Sequence, residues 1–351
     1  MQRSSCLVVG GAGNLGGHIV RLLRERGAKR VACFDLVAYP DPAVESITGN
    51  VTDEAALTAA MAGIDIVYHV ASIIDITPVP SLMMNHVNVT GTVCVINACK
   101  AARVKSLVYT ASLEVVSGAD ENGVSRELDG VDETAPIPAQ HHLPYAATKA
   151  AAEQLVLAAD SAELRTCSIR PGYIMGRGCI GLKVEMLTSA ERAGYYVTAK
   201  VPATISTVHP RNAALLHVRA AEQLARPEVH GHAFFCRDFE DNVIGMALRA
   251  FEGTGIKPLL LPLWLAYAMA WLFDLVERVL IWCYAACGAK RVTPSHVVGI
   301  RAVGMAWIDV VVSDRKAREV LGHQPEVTRE ECLREANEWC KECCAKLLAQ
   351  K

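Results

Sequence analysis

Short apolar runs alternate with amphipathic stretches through the first half of the chain. Cys6 to Gly10 reads as a buried strand, and Gly17 to Arg26 carries apolar residues at helical spacing until Gly27 stops it. The unit repeats. Arg30 to Phe34 is strand-like, Glu54 to Met61 helical, Ile64 to His69 strand-like, Met83 to Ala102 helical and Ser106 to Tyr109 strand-like. Tyr145 to Ala159 is an alanine-rich helix, and Thr166 to Arg170 is a further strand ended by Pro171 and Gly172. Strict alternation builds a parallel sheet covered on both faces, because each parallel crossover needs a helix's length of chain. The expected fold class is α/β, a Rossmann-type doubly wound parallel sheet.

After about residue 175 the rhythm fades. The expected division is a sheet domain over residues 1–175 and a smaller, interleaved C-terminal lobe over 176–351, with Ser206 to Val208 and Ala233 to Cys236 returning to the sheet. From Thr328 an amphipathic helix places Leu333, Ala336, Cys340, Cys343 and Leu347 on one stripe. The apolar block 258–287 is interrupted at Asp274, Glu277 and Arg278, so its longest run is shorter than the roughly 20 residues of a spanning helix.

Composition narrows the field. A formal net charge of -2, with no basic run, predicts no nucleic-acid partner. The thirteen cysteines are scattered without a disulfide framework, which suits a reducing compartment. Met1 to Ser5 leave no room for a cleavable signal before the first strand. Cys340, Cys343 and Cys344 share one predicted helix with no histidine nearby, so no metal site is expected.

Between the first strand and first helix lies Gly10-Gly11-Ala12-Gly13-Asn14-Leu15-Gly16. Glycines at this junction allow a tight turn and let a pyrophosphate approach the positive end of the helix. Asp35 ends the second strand nineteen residues after Gly16, where a carboxylate accepts hydrogen bonds from the adenosine ribose and repels a 2′-phosphate. The predicted cofactor is therefore NAD.

Tyr145 and Lys149 are four apart and share a helix face. A phenol is a poor base at neutral pH, yet a neighbouring ammonium and a cationic nicotinamide favour the phenolate, which can take the proton of an alcohol as hydride leaves. Ser112 closes the fifth predicted strand, at the sheet edge where open α/β folds bind ligands, and its hydroxyl suits holding the reacting oxygen.

The residues then resemble a known family. Val9 to Gly16, Tyr68-His69-Val70-Ala71-Ser72, Asn88-Val89-Thr90-Gly91-Thr92, Tyr109 to Val115, Tyr145-Ala146-Ala147-Thr148-Lys149 and Arg170-Pro171-Gly172-Tyr173-Ile174 are similar to the extended short-chain dehydrogenases, and within them to the 3β-hydroxysteroid dehydrogenase family. Ile73-Ile74-Asp75 and the block from Leu261 to Trp282 look like its steroid-acting members. The resemblance implies a catalytic set of Ser112, Tyr145 and Lys149, with Lys149 also holding the nicotinamide ribose. It implies that Gly10, Gly13, Asn14, Leu15, Gly16 and Asp35 contact NAD, that Asn50 and Val51 lie at the adenine, and that Val70, Ala71 and Ser72 line the adenosine side. Pro171 to Ile174 would lie along the nicotinamide. The implied reaction is oxidation of the 3β-hydroxyl of a steroid or sterol.

Three features depart from the family pattern or widen it. Asn50 stands where the family usually has an aspartate at the adenine. Arg237-Asp238-Phe239 keeps one of the paired aspartates of members that isomerise the steroid double bond. Val292-Thr293-Pro294 and Leu321 to Pro325 are equally similar to sterol 4α-carboxylate 3-dehydrogenases, which decarboxylate after the same oxidation. That enzyme is one alternative, and a non-catalytic NAD-sensing module is another. A dihydroflavonol-type reductase or sugar-nucleotide epimerase is a third, with the apolar block arguing against the epimerase. His141 and His142 edge the expected pocket, and His209 and Asn212 follow a late strand. The steroid-acting likeness further implies peripheral membrane contact through 258–287, on the cytoplasmic side of an internal membrane such as the endoplasmic reticulum in a eukaryote. It also leaves room for a homodimer.

Overall fold

The computed structural model describes residues 4–75, 81–119, 126–179, 181–182, 195–200, 202–262, 264–269, 271–272, 275–276, 279 and 308–349. Val292 to Pro294, Trp282 and the rest of the apolar block beyond 279 lie outside these residues.

In chain order the elements are β1 (Ser5–Val9), α1 (Asn14–Glu25), β2 (Arg30–Asp35), β3 (Glu45–Thr48), α2 (Glu54–Ala60), β4 (Ile66–His69) and α3 (Leu82–Asn85). A π-helical turn, His86–Thr90, joins α3 to α4 (Gly91–Ala101), followed by β5 (Ser106–Thr110), a 3-10 turn (Leu113–Val116), β6 (Leu128–Val131), α5 (Pro144–Ala158), β7 (Arg165–Pro171) and β8 (Tyr173–Ile174). Then come β9 (Tyr195–Ala199), β10 (Thr204–Val208), α6 (Pro210–Glu222), β11 (Ala233–Cys236), β12 (Phe239–Asn242), α7 (Val243–Ala250), β13 (Lys257–Leu261), β14 (Val310–Val312), α8 (Arg315–Leu321) and α9 (Arg329–Ala349).

Seven strands form the main sheet in the order β11-β7-β5-β4-β1-β2-β3, and every neighbouring pair is parallel. Its strands are buried on both faces. Cys6 and Val8 of β1 pack with Ile19 and Leu23 of α1 and Leu216 of α6, whereas Leu7 and Val9 pack with Leu57 of α2 and Val95 of α4. Continuous apolar runs fit that double burial.

A second sheet has the order β12-β10-β14-β6, with β8 also on β10. This corrects the expectation for Ser206 to Val208, which joins the second sheet; Ala233 to Cys236 does return to the main one, beside β7. Gly172 permits the divergence between β7 and β8, since a Cβ there would lie 2.4 Å from the Ser206 carbonyl oxygen. The segment from Met83 to Ala102 is interrupted by the π turn instead of forming one regular helix. Helix α1 starts at Asn14, three residues before the apolar spacing begins, so Asn14, Leu15 and Gly16 form its first turn. On α9, Leu333, Ala336 and Cys340 of the expected stripe are buried against α7, joined by Cys332 and Cys344, whereas Cys343 is half-buried and the Leu347 side chain lies outside the described residues.

Candidate active site

Strands β1 and β4 are neighbours, while β2 and β3 lie to one side of them and β5 and β7 to the other. The chain leaves β1 and β4 in opposite directions, opening a crevice beyond their carboxyl ends. The turn from β1 into α1 floors it. Gly10 has φ +89°, and a Cβ there would lie 2.5 Å from the Ala71 backbone nitrogen. A Cβ on Gly16 would lie 2.1 Å from the Gly10 carbonyl oxygen, so only glycine lets the helix begin against the strand. Gly13 is the N-cap of α1, whose free amide groups point at the crevice.

Asp35 ends β2 beside this turn. Its Oδ2 accepts the Ala12 N–H at 3.0 Å and its Oδ1 the Leu36 N–H at 2.7 Å, which fixes the carboxylate at the loop. Asn50 is exposed after β3, and its Oδ1 accepts from the Thr52 amide and hydroxyl at 3.1 and 3.0 Å; Val51 beside it is buried. The Val70 and Ala71 amides both donate to the Val9 carbonyl, at 2.8 and 2.9 Å, and hold the loop with Ser72 over the glycine turn. Asn14 Nδ2 donates to the Arg177 carbonyl at 3.0 Å. Pro171 closes β7 and Ile174 lies in β8, on the far side of the crevice.

The structure brings Ser112, Tyr145 and Lys149 together. Ser112 follows β5 and caps the 3-10 turn; its Oγ accepts the Glu114 N–H at 3.2 Å and shares a hydrogen bond with Tyr145. Tyr145 and Lys149 occupy successive turns of α5, 7% and 1% exposed. Lys149 Nζ donates to the Thr110 carbonyl at 2.5 Å and lies 4.8 Å from the Tyr109 ring centroid. Burial pushes the Tyr145 phenol well above its ordinary value, the Glu114 charge adds to the rise, and the Ser112 bond opposes it. Burial lowers Lys149 to about 7, against the pull of Glu153. A phenol held this way gives up its proton only when positive charge is brought beside it.

A supporting layer was not read from the sequence. Asn88, in the π turn, donates from Nδ2 to the Ile73 carbonyl at 3.0 Å and lies 3.1 Å from Thr148 Oγ1, while its Oδ1 accepts the Ile73 N–H at 2.8 Å. It thus ties the loop after β4 to α5. Thr110 Oγ1 meets His217 Nε2 at 2.8 Å, and His217 Nδ1 meets the Ala213 carbonyl at 2.7 Å, so the imidazole donates from Nδ1 and accepts at Nε2. Burial lowers His217 to about 4, keeping it neutral behind Lys149. Asn88 was legible as part of the Asn88 to Thr92 motif but without a role, and for His217 the available signal was a polar residue within an apolar helical stretch.

His209 and Asn212 are bonded to groups of the scaffold. The Asp238 Oδ2 accepts the His209 N–H and the Asn212 Nδ2–H, both at 2.7 Å, and His209 Nε2 lies 3.0 Å from Glu335 Oε2 on α9. The single aspartate left from the isomerase pattern is thus bound into the scaffold.

A doubly wound parallel sheet with a glycine turn at its switch point, and a serine, tyrosine and lysine at the next strand end, defines the extended short-chain dehydrogenase class. The model of the 3-beta hydroxysteroid dehydrogenase/isomerase family matches residues 7–248, and the chain belongs to that family. It is 31% identical over 361 residues to 3 beta-hydroxysteroid dehydrogenase type 7 of Mus musculus, covering 95% of this chain and 94% of that protein. The Homo sapiens protein of the same name is 31% identical over 352 residues, covering 92% of each. Among solved structures, UDP-glucose 4-epimerase of Thermus thermophilus in complex with NAD superposes with a TM-score of 0.69 at 19% identity, over 96% of this chain and 99% of that one.

Proposed function

We propose that this chain oxidises the 3β-hydroxyl of a steroid or sterol to a ketone, with NAD as hydride acceptor. The observation that carries the reading is the Ser112, Tyr145 and Lys149 set at the sheet edge, beside a glycine cradle that any Cβ would fill. The cradle suits a dinucleotide, with Gly10, Gly13, Asn14, Leu15 and Gly16 at the pyrophosphate, Asp35 at the adenosine ribose and Val70 to Ser72 and Val51 on the adenosine side. NAD held by these residues would supply the hydride acceptor and the positive charge of its oxidised ring.

Tyr145 accepts the carbinol proton, and Ser112 holds the same oxygen through its hydroxyl. The Lys149 ammonium, fixed by the Thr110 carbonyl, stabilises the phenolate. Ile73, Met84 and Leu143 pack around Tyr145 as an apolar wall that favours a hydrocarbon skeleton. On this reading residues 1–175 hold the cofactor and 176–351 supply most of the substrate lobe. Trp264, Trp271, Leu272 and Val276 are exposed, and they form the face through which the protein would meet a lipid surface that stores such substrates.

The test is NADH formation, followed by absorbance, with a neutral 3β-hydroxysteroid. Tyr145→Phe is expected to lower kcat by about 10²- to 10⁴-fold while NAD still binds. Turnover that survives the substitution would remove the mechanism.

A further inference from the structure

The loop entering α5 is clamped to the turn that follows Ser112. Gly118 and His141 form an isolated antiparallel bridge, and His141 Nδ1 lies 3.0 Å from the Ser117 carbonyl. The clamp brings His142 Nε2 to 3.2 Å from Glu114 Oε2, close enough for an ion pair when the imidazole is protonated, although not aligned as a hydrogen bond. The His142 side chain is 5% exposed and that of Glu114 21%. Glu114 Oε2 and His142 Nδ1 are buried with no hydrogen-bond partner among the described residues. Such atoms cost stability, and a cost of this kind is tolerated where a ligand completes the set.

Glu114 stands two residues from Ser112, its amide is bonded to the Ser112 hydroxyl, and its charge reaches the Tyr145 phenol. Among the described residues, the other side chains that act on this phenol are uncharged, Ser112 from the 3-10 turn and Tyr109 from β5, and Lys149 of α5 lies over the Tyr109 ring. Behind Lys149, His69 and His217 are held neutral by burial, at about 3 and about 4. Glu153 is spent on Arg170.

We propose that Glu114, oriented by His142, selects the substrate: it admits a carbinol whose neighbouring carbon carries hydrogen or an uncharged polar group, and rejects one that carries a carboxylate there. This rests on the dehydrogenase reading above and narrows it to neutral steroids. Two carboxylates facing each other across a water-poor cleft repel strongly, whereas hydrogen or an uncharged group at that carbon meets no such repulsion.

The experiment compares a neutral 3β-hydroxysteroid with the same skeleton bearing a 4α-carboxylate, each with NAD. The wild-type kcat/KM is expected to favour the neutral compound by at least about tenfold. Glu114→Gln narrows the gap, chiefly through KM for the carboxylate, and moves the acid limb of the neutral compound's kcat/KM profile to lower pH, because the phenol ionises more easily without its negative neighbour. His142→Asn releases Glu114 from its position and also narrows the gap, again chiefly through KM for the carboxylate, so the proposal stays testable if one variant fails to fold. Parallel losses on both compounds in both variants would mean a structural role and overturn the proposal. So would a wild type that uses both compounds equally, with the dehydrogenase reading intact. A wild type that oxidises neither overturns that reading and this proposal with it.

Discussion

Lys149 shows how one side chain trades stability for chemistry. It is buried, with the Thr110 carbonyl and the Tyr109 ring face as partners among the described residues, and its value falls to about 7 because desolvation disfavours the ammonium. From about 7 up to the ordinary lysine range the unfolded chain binds more protons than the folded one, so stability rises with pH through that window; the full penalty is present below it. Lys149→Met keeps the volume and removes the charge. It is expected to abolish turnover yet raise Tm by roughly 2–4 °C at about pH 6, with less gain at about pH 9. Melting scans at the two pH values check this, and an equal gain at both would contradict the desolvation account.

At the scale of elements, the contact between α5 and β7 keeps the catalytic helix on the sheet. Glu153 of α5, fully buried, accepts from Ser168 Oγ at 2.6 Å and from Arg170 Nε and Nη2 at 3.0 and 2.7 Å, with the Arg170 guanidinium over the Phe235 ring of β11. Removing one partner strands a charge in the core. Glu153→Gln is expected to cost about 3–5 kcal/mol in urea unfolding, and Glu153→Leu with Arg170→Met to recover most of it, since an apolar pair needs no compensation. A loss of under about 1 kcal/mol, the size of an exposed pair, would show that water reaches the site.

At the scale of the whole molecule, no helix among the described residues is long and apolar enough to cross a membrane, yet Trp264 is 69% exposed and Trp271 57%. Aromatic residues of this kind suit the lipid–water boundary. The protein is expected to sediment with phosphatidylcholine vesicles, and the double substitution Trp264→Ser with Trp271→Ser to weaken partition by at least about tenfold while leaving Tm unchanged. Wild-type protein that stays in the supernatant would rule out lipid contact through this face.

Local pattern alone determined the βα alternation, the glycine turn, Asp35 at the end of β2 and the shared face of Tyr145 and Lys149, because each depends on backbone geometry within a few residues. Polar strands such as Glu45–Thr48 escaped it, since an edge strand lacks the apolar run of a buried one. Only the tertiary structure decided that Ser112 meets Tyr145, that His142 meets Glu114, that His217 backs Thr110 and that β10 leaves the main sheet while β11 joins it. Those contacts join residues tens to more than a hundred positions apart, and their partners are chosen by strand pairing and packing across the whole chain.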